Sequence, residues 1–328
     1  MQSRIKWYDT LPVPSWSGKN IMRTRRDFLV TVGTSTVGAA AWPAVNPAFG
    51  VTAAASFRFA CHTMPWGDAY VTGIADIARA GFHGVQLRAN VMPQFGEKPQ
   101  ALKALLAQQT IEFACFSSNN IALAREREAE TMALHEKNAR FVAAAGGQFL
   151  QVTDERPKDR TPTSEDRKRM GGLLTTLGRR TAPLGVKVVY HNHMGNLGER
   201  PEEVAEVLAA SDPAAVGFLL DMAHYTQAGG DVAAAIRTHK SRLAVVHAKD
   251  VRTVPRAVDA KPDAPAYQFV ELGRGRVDLP GAFGALAEVG YRGWVIVELD
   301  AVPDPGGSAS ASMLTSKRYI EQVLKLAV

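Results

Sequence analysis

Cysteine is nearly absent from this chain: Cys61 and Cys115 are the only two in 328 residues. Two thiols cannot build a disulfide framework or a cysteine-only zinc site. A good membrane span is missing too. Residues 28–57 carry no charge, but this stretch is rich in Gly, Ala and Thr and is broken by Pro43 and Pro47. A spanning helix needs about 20 predominantly apolar residues. There is no polybasic run, and the formal charge of +6 is unevenly placed. Residues 1–55 hold six basic and two acidic side chains, which leaves 32 basic against 30 acidic, or +2, for the rest. So small a surplus gives no footprint for neutralising phosphates, and a nucleic-acid partner is not expected. No internal repeat of solenoid period occurs. What remains is ordinary globular material: 46% hydrophobic, 21% charged, with 28 Gly and 18 Pro. The length suits two domains of about 150 residues or one large α/β barrel.

The uncharged stretch has a definite beginning. Arg25-Arg26 followed by Asp27, Phe28 and Leu29 resembles a twin-arginine export signal, and Ala53-Ala54-Ala55 offers a small-residue cleavage site. Met22 is an alternative start. Residues 1–55 are therefore expected to be a signal with its upstream extension, removed on export. Residues 56–328 then work in the periplasm, without stable membrane insertion. An uncleaved anchor is the competing reading. Phosphorylated sugars are scarce outside the cytoplasm, so a neutral substrate is expected.

From residue 57 onward, apolar β-rich runs alternate with helical patterns. The predicted strands are 57–64, 84–88, 111–117, 149–153, 186–193, 216–221, 243–250 and 294–300. The runs are continuous rather than alternating in polarity, as in strands covered by helices on both faces. The predicted helices are 71–80, 100–109, 125–145, 164–184, 201–210, 231–238, 279–289 and 311–326. Gly81, Gly185 and Gly290 fall just past helical patterns, where a left-handed cap suits Gly. Thr163-Ser164-Glu165-Asp166 and Asp231 suit helix starts. Eight strand–helix units in about 270 residues fit a single (β/α)8 TIM barrel. The alternative, a doubly wound open sheet, wants a glycine-rich phosphate turn after its first strand, and His62-Thr63-Met64-Pro65-Trp66-Gly67 is not one.

A parallel barrel places its active site at the C-terminal ends of its strands. Five of the eight histidines fall at or just beyond those ends: His62, His191, His193, His224 and His247. His191 and His193 share a strand face by alternation. Asp221 follows three apolar residues, so it must be paired, metal-bound or a helix N-cap. His247 and Lys249 repeat the pattern, and Glu298 ends the last strand. Two carboxylates and imidazoles from separate strands make a mixed N/O site that suits Mn²⁺, Mg²⁺, Co²⁺ or Zn²⁺. Other mouth candidates are Met64 and Trp66 as an apolar wall and Asn119 and Asn120 as contacts to substrate hydroxyls. Cys61 and Cys115 are expected in the core. The stretch 253–268, with Pro255, Pro262 and Pro265, reads as a long irregular segment, a lid or a contact in a homo-oligomer.

At these residues the chain resembles the xylose-isomerase-like TIM-barrel superfamily, also called the sugar phosphate isomerase/epimerase family. The matching segments are Tyr190-His191-Asn192-His193-Met194-Gly195, Leu220-Asp221-Met222-Ala223-His224 and His247-Ala248-Lys249-Asp250-Val251-Arg252. The turn Leu272-Gly273-Arg274-Gly275-Arg276-Val277-Asp278 and Val297-Glu298-Leu299-Asp300 add to them. The resemblance implies one divalent metal ion held by His191, Asp221, His247 and Glu298. It also implies substrate contacts from His193 and His224. The epimerase branch carries Glu at the position of His191, and many members carry Glu at the position of Gln86. The His191-Asn192-His193 run is more similar to the keto-inositol dehydratase branch.

Such a site acidifies the C–H beside a ketone and stabilises an enediolate. The candidate catalytic groups are Glu298, His193, His224 and Lys249; Lys249 is a base only with a lowered pKa and otherwise an electrostatic helper. His62, Trp66, Asn119, His193 and His224 are the candidate substrate contacts. The expected substrate is a non-phosphorylated keto-sugar or keto-cyclitol, with β-elimination preferred over isomerisation or epimerisation. A sugar isomerase/epimerase proper and a non-catalytic sugar-binding barrel are the alternatives. An apurinic-site endonuclease on this barrel needs more ligands and a basic face.

Overall fold

The eight apolar runs become the eight strands of a closed parallel barrel. The computed structural model describes residues 57–255 and 265–328. The expected signal, residues 1–55, lies outside them, as do residues 256–264. In chain order the elements are β1 (Arg58–His62), α1 (Tyr70–Arg79), β2 (Gly84–Arg88), α2 (Met92–Phe95), α3 (Pro99–Gln108), β3 (Glu112–Ile121), α4 (Glu128–Ala145), β4 (Phe149–Asp154), α5 (Ser164–Thr181), β5 (Lys187–His191) and α6 (Pro201–Ala209). There follow β6 (Val216–Asp221), α7 (Met222–Gln227), α8 (Val232–Thr238), β7 (Leu243–Ala248), β8 (Asp250–Thr253), β9 (Tyr267–Val270), α9 (Leu279–Glu288), β10 (Trp294–Val297) and α10 (Ala309–Gln322). The barrel runs β1-β10-β7-β6-β5-β4-β3-β2 and closes where β1 pairs with β10 in parallel. Closure rules out the open-sheet alternative. Among the described residues, no helix is long and apolar enough to cross a membrane.

Local chemistry sets the element ends. Thr163 and Asp166 form a capping box at the start of α5, and the Arg160 guanidinium holds the Asp166 carboxyl well below the usual range. Asp231 caps α8 by accepting from the Ala234 N–H at 3.0 Å. Gly185 and Gly290 take positive φ, +73° and +67°, where the chain leaves a helix for the next strand. At the barrel base the Arg58 guanidinium lies 3.9 Å from the Trp294 ring centre and pairs with Glu112 at 2.6 Å.

The barrel interior divides into two rows. Ala60, Cys115, Val189, Leu219, Val245, Trp294 and Ile296 form an apolar cluster within it. Two residues further along the same strands come His62, Ser117, His191, Asp221, His247 and Glu298, a polar row at the C-terminal mouth. Cys61 packs in the larger core between sheet and helices and Cys115 in the inner row. Burial pushes both thiols far up, as befits inert core residues.

Two expectations need correction. β5 and β7 stop at His191 and Ala248, so His193 and Lys249 sit beyond their strand ends. The 253–268 stretch is not irregular throughout, because its ends belong to an antiparallel ribbon in which Asp250 faces Val270 and Thr253 faces Tyr267. Pro255 and Pro265 flank the ladder without entering it, so no ladder donor is lost. Asp250 ties this ribbon to the 272–278 turn. Its carboxylate accepts from the N–H groups of Val251, Gly273, Gly275 and Val277 at 2.8–3.0 Å. A methyl group on Gly275 would meet Asp250 Oδ1 at 2.2 Å, so only glycine admits this approach.

Candidate active site

Four strand ends bring His191 (β5), Asp221 (β6), His247 (β7) and the residue after β10, Glu298, to one point. His191 Nδ1, Asp221 Oδ2, His247 Nδ1 and Glu298 Oε2 are all buried, and none has a hydrogen-bond partner. These same side chains each offer one ligand atom within 4.8 Å of the other three. His247 Nδ1 lies 2.8 Å from Glu298 Oε2 and 3.5 Å from Asp221 Oδ2, neither contact aligned as a hydrogen bond. Buried polar atoms left without partners cost about 1–3 kcal/mol each, more when charged. Four such atoms aimed at one another fit a divalent cation, with two nitrogen and two oxygen donors.

Asp221 is both a cap and a site residue. Its Oδ1 accepts from the His224 N–H at 2.8 Å and starts α7, while Oδ2 turns into the cluster. Asn192 holds it in place, accepting from the Asp221 N–H at 2.9 Å and donating to its carbonyl at 3.3 Å.

Lys249 is fully buried beside the cluster. Its Nζ lies 2.6 Å from Asp300 Oδ1, 3.2 Å from Glu298 Oε1, 3.2 Å from His224 Nε2 and 4.2 Å from the Phe269 ring centre. Burial alone would lower its pKa, but Asp300, Glu298 and Asp221 outweigh burial and raise it. The ammonium form is held, which suits an electrostatic helper rather than a base. Burial would likewise raise Glu298, yet His247 and Lys249 keep it well below the usual carboxylate range. His247 is lifted to about 9, because Glu298 and Asp221 overcome its desolvation. His191 is driven well down by burial, and His224 by burial and then by Lys249. His62 falls to about 4 through burial.

The other sequence-derived candidates divide. His193, half-buried, lies with its ring centre 4.0 Å from that of His224 and 5.7 Å from that of His191. His62 reaches the polar row through Ser117 Oγ, 3.3 Å from its Nε2. Trp66 is drawn the other way: its Nε1 donates to Asp76 of α1 at 3.1 Å, and its ring closes over Gly73. Asn119 is exposed, with φ of +76°, where β3 becomes irregular against β4. Neither Trp66 nor Asn119 joins the converging groups.

Sequence reading missed Phe269, Asp300, Ser117 and Gln151. Phe269 comes from the ribbon and packs edge-on to His224, ring centres 4.7 Å apart. Asp300, two residues past Glu298, was within reach of the same alternation that marked His247 and Lys249. Gln151 is an uncharged residue within an apolar run and Ser117 opens the polar run 117–120, and nothing local distinguishes either.

The signature of xylose isomerase-like TIM barrels matches residues 74–319. The chain belongs to that family. This family member is 29% identical over 290 residues to the rhizopine catabolism protein MocC of Rhizobium meliloti, covering 80% of this chain and 87% of that one. It is 30% identical over 271 residues to the inosose dehydratase of Geobacillus thermodenitrificans (strain NG80-2), covering 77% and 89%. Among solved structures, the zinc-binding IolI protein superposes with a TM-score of 0.67 at 17% identity, over 82% of this chain and 98% of that one. At that identity the likeness speaks for the fold.

Proposed function

We propose that this family member is a divalent-metal-dependent lyase that eliminates water from a non-phosphorylated keto-cyclitol or related keto-sugar. The observation that carries the reading is the convergence of four buried donor atoms that make no hydrogen bond beside a buried, charged lysine. The inosose dehydratase relative and the zinc-binding structural neighbour support it. So does His191, which stands where an epimerase would keep a second carboxylate base.

His191, Asp221, His247 and Glu298 would hold the cation, which when bound supplies a Lewis acid for a ketone oxygen. The protein provides the proton chemistry. His193 Nδ1 lies 2.7 Å from the Met194 carbonyl, an acceptor only, so Nδ1 carries the hydrogen and Nε2 keeps its lone pair. That makes His193 the base for the C–H beside the ketone. Lys249 places its positive charge where negative charge develops. His193 hands the proton it took from carbon to the β-hydroxyl, which departs as water, while Lys249, 3.2 Å from His224 Nε2, stays charged. Phe269 covers these polar groups with an apolar ring, a surface for the C–H face of a cyclitol. The reading of residues 1–55 as an export signal places the enzyme in the periplasm.

The test is proton NMR in D₂O with a 2-keto-inositol, comparing Mn²⁺-loaded and chelator-stripped protein. Expected is metal-dependent loss of the signal beside the ketone together with an unsaturated product. Exchange without elimination would favour an isomerase or epimerase. Stoichiometric metal without exchange would overturn the substrate class.

A further inference from the structure

Gln86 sits on β2, across the barrel from the cluster, yet its amide oxygen lies 2.8 Å from His247 Nε2. Its amide nitrogen donates to Ser117 Oγ at 2.8 Å and to Gln151 Oε1 at 2.5 Å. Both amide hydrogens are thus committed. Ser117 in turn donates to Gln151 Oε1 at 3.0 Å. The chain has a fixed origin, for the Met64 backbone N–H donates to His62 Nδ1 at 2.8 Å. His62, neutral because burial lowers it, must carry its hydrogen on Nε2, which faces Ser117 Oγ at 3.3 Å.

With its amide nitrogen turned to Ser117 and Gln151, Gln86 presents its oxygen to His247. A carbonyl oxygen cannot donate. We infer that Gln86 is a positioning residue for the metal site: it pins the His247 hydrogen on Nε2 and leaves Nδ1 as the one nitrogen free to bind a cation. The inference rests on the proposed function, since it presumes that the cluster binds metal. Gln86 and Gln151 are both buried, so no water competes for these bonds. Outer partners of this kind typically change metal affinity by roughly 10- to 100-fold when removed.

The residue type is informative. A carboxylate at position 86 would also accept from His247 Nε2, but its second oxygen would confront Gln151 Oε1, now an acceptor. Gln151 would have to turn its amide over to donate instead, so Gln86→Glu keeps the His247 bond at the cost of one flip. Gln86→Leu, of similar volume, removes the acceptor altogether.

The experiment titrates chelator-stripped full-length wild type, Gln86→Leu and Gln86→Glu with Zn²⁺ by calorimetry. Long-range ¹H–¹⁵N spectra of histidine-labelled, zinc-loaded protein then report which His247 nitrogen carries hydrogen. Expected is one Zn²⁺ per chain with His247 as the Nε2–H form in wild type and Gln86→Glu. Gln86→Leu should bind roughly 10- to 100-fold more weakly. A purely structural role for Gln86 would lower the melting temperature of both variants and leave zinc affinity untouched. Unchanged affinity in Gln86→Leu, or His247 bound through Nε2, overturns the inference while the metal reading stands. Wild type that takes up no zinc overturns the proposed function and the inference with it.

Discussion

Two rows of the same barrel do opposite work. Val189, Leu219, Val245 and Ile296 pack the interior, while His191, Asp221, His247 and Glu298 stand two residues further along the same strands and face one another without hydrogen bonds. Side chains two apart share a face, so nothing in backbone or direction separates the rows, only position along the strand. The lower row contributes burial, about 1.5–3 kcal/mol for each large side chain. The upper row gives that up for converging charge, in which His247 and Lys249 hold the Glu298 carboxylate until a cation displaces the His247 proton. The lesson is that this barrel stabilises itself at one end and stores unsatisfied bonding capacity at the other.

Exchanging roles between the rows should have the largest effects. Asp221→Ala should abolish metal binding and reduce kcat/KM by roughly 10³-fold or more, about 4 kcal/mol of transition-state stabilisation. Ile296→Ala, one row down, should lower unfolding stability by about 2–5 kcal/mol through a cavity while metal stoichiometry stays the same. Denaturant melts of the metal-loaded proteins, read beside metal analysis, check both. Equal loss of metal in the two variants would erase the distinction between rows.

Metal removal should act on the upper row alone. Chelation should lower apparent stability by about 2.7 kcal/mol relative to protein held at 100 times its metal Kd, measured as a shift of the urea midpoint. A smaller effect follows from His247. Because its pKa is raised to about 9, it carries a proton at neutral pH that a cation must displace. His191, held well below its usual value, has none to lose. Metal affinity should therefore rise about tenfold per pH unit, approaching about 1.4 kcal/mol per unit well below pH 9, and flatten above it. Calorimetry in buffers of different ionisation enthalpy should count close to one proton released per ion at neutral pH.

The contrast between rows also explains what the sequence reveals. The strands were legible because runs such as Val188–Tyr190 and Val216–Leu220 are unbroken, and a strand covered on both faces needs no polar alternation. Asp221, His247 and Glu298 were legible because each interrupts such a run at its end. Ser117 and Gln151 were not, and Gln86 showed only as a departure from the family's Glu, since their roles depend on what stands across the barrel rather than on neighbours in sequence. Phe269 was hidden for a related reason: the ribbon that delivers it begins beside one proline and resumes beyond another. Trp66 stood in the right segment, but Asp76 draws it onto α1 and away from the mouth.

The most direct test is an equilibrium titration of the chelator-stripped full-length protein with Mn²⁺, alongside Glu298→Ala and Ile296→Ala. Expected is one ion per chain in wild type and Ile296→Ala, and none in Glu298→Ala. Absence of binding in wild type, or binding that survives Glu298→Ala, would contradict the reading of the upper row as a metal site.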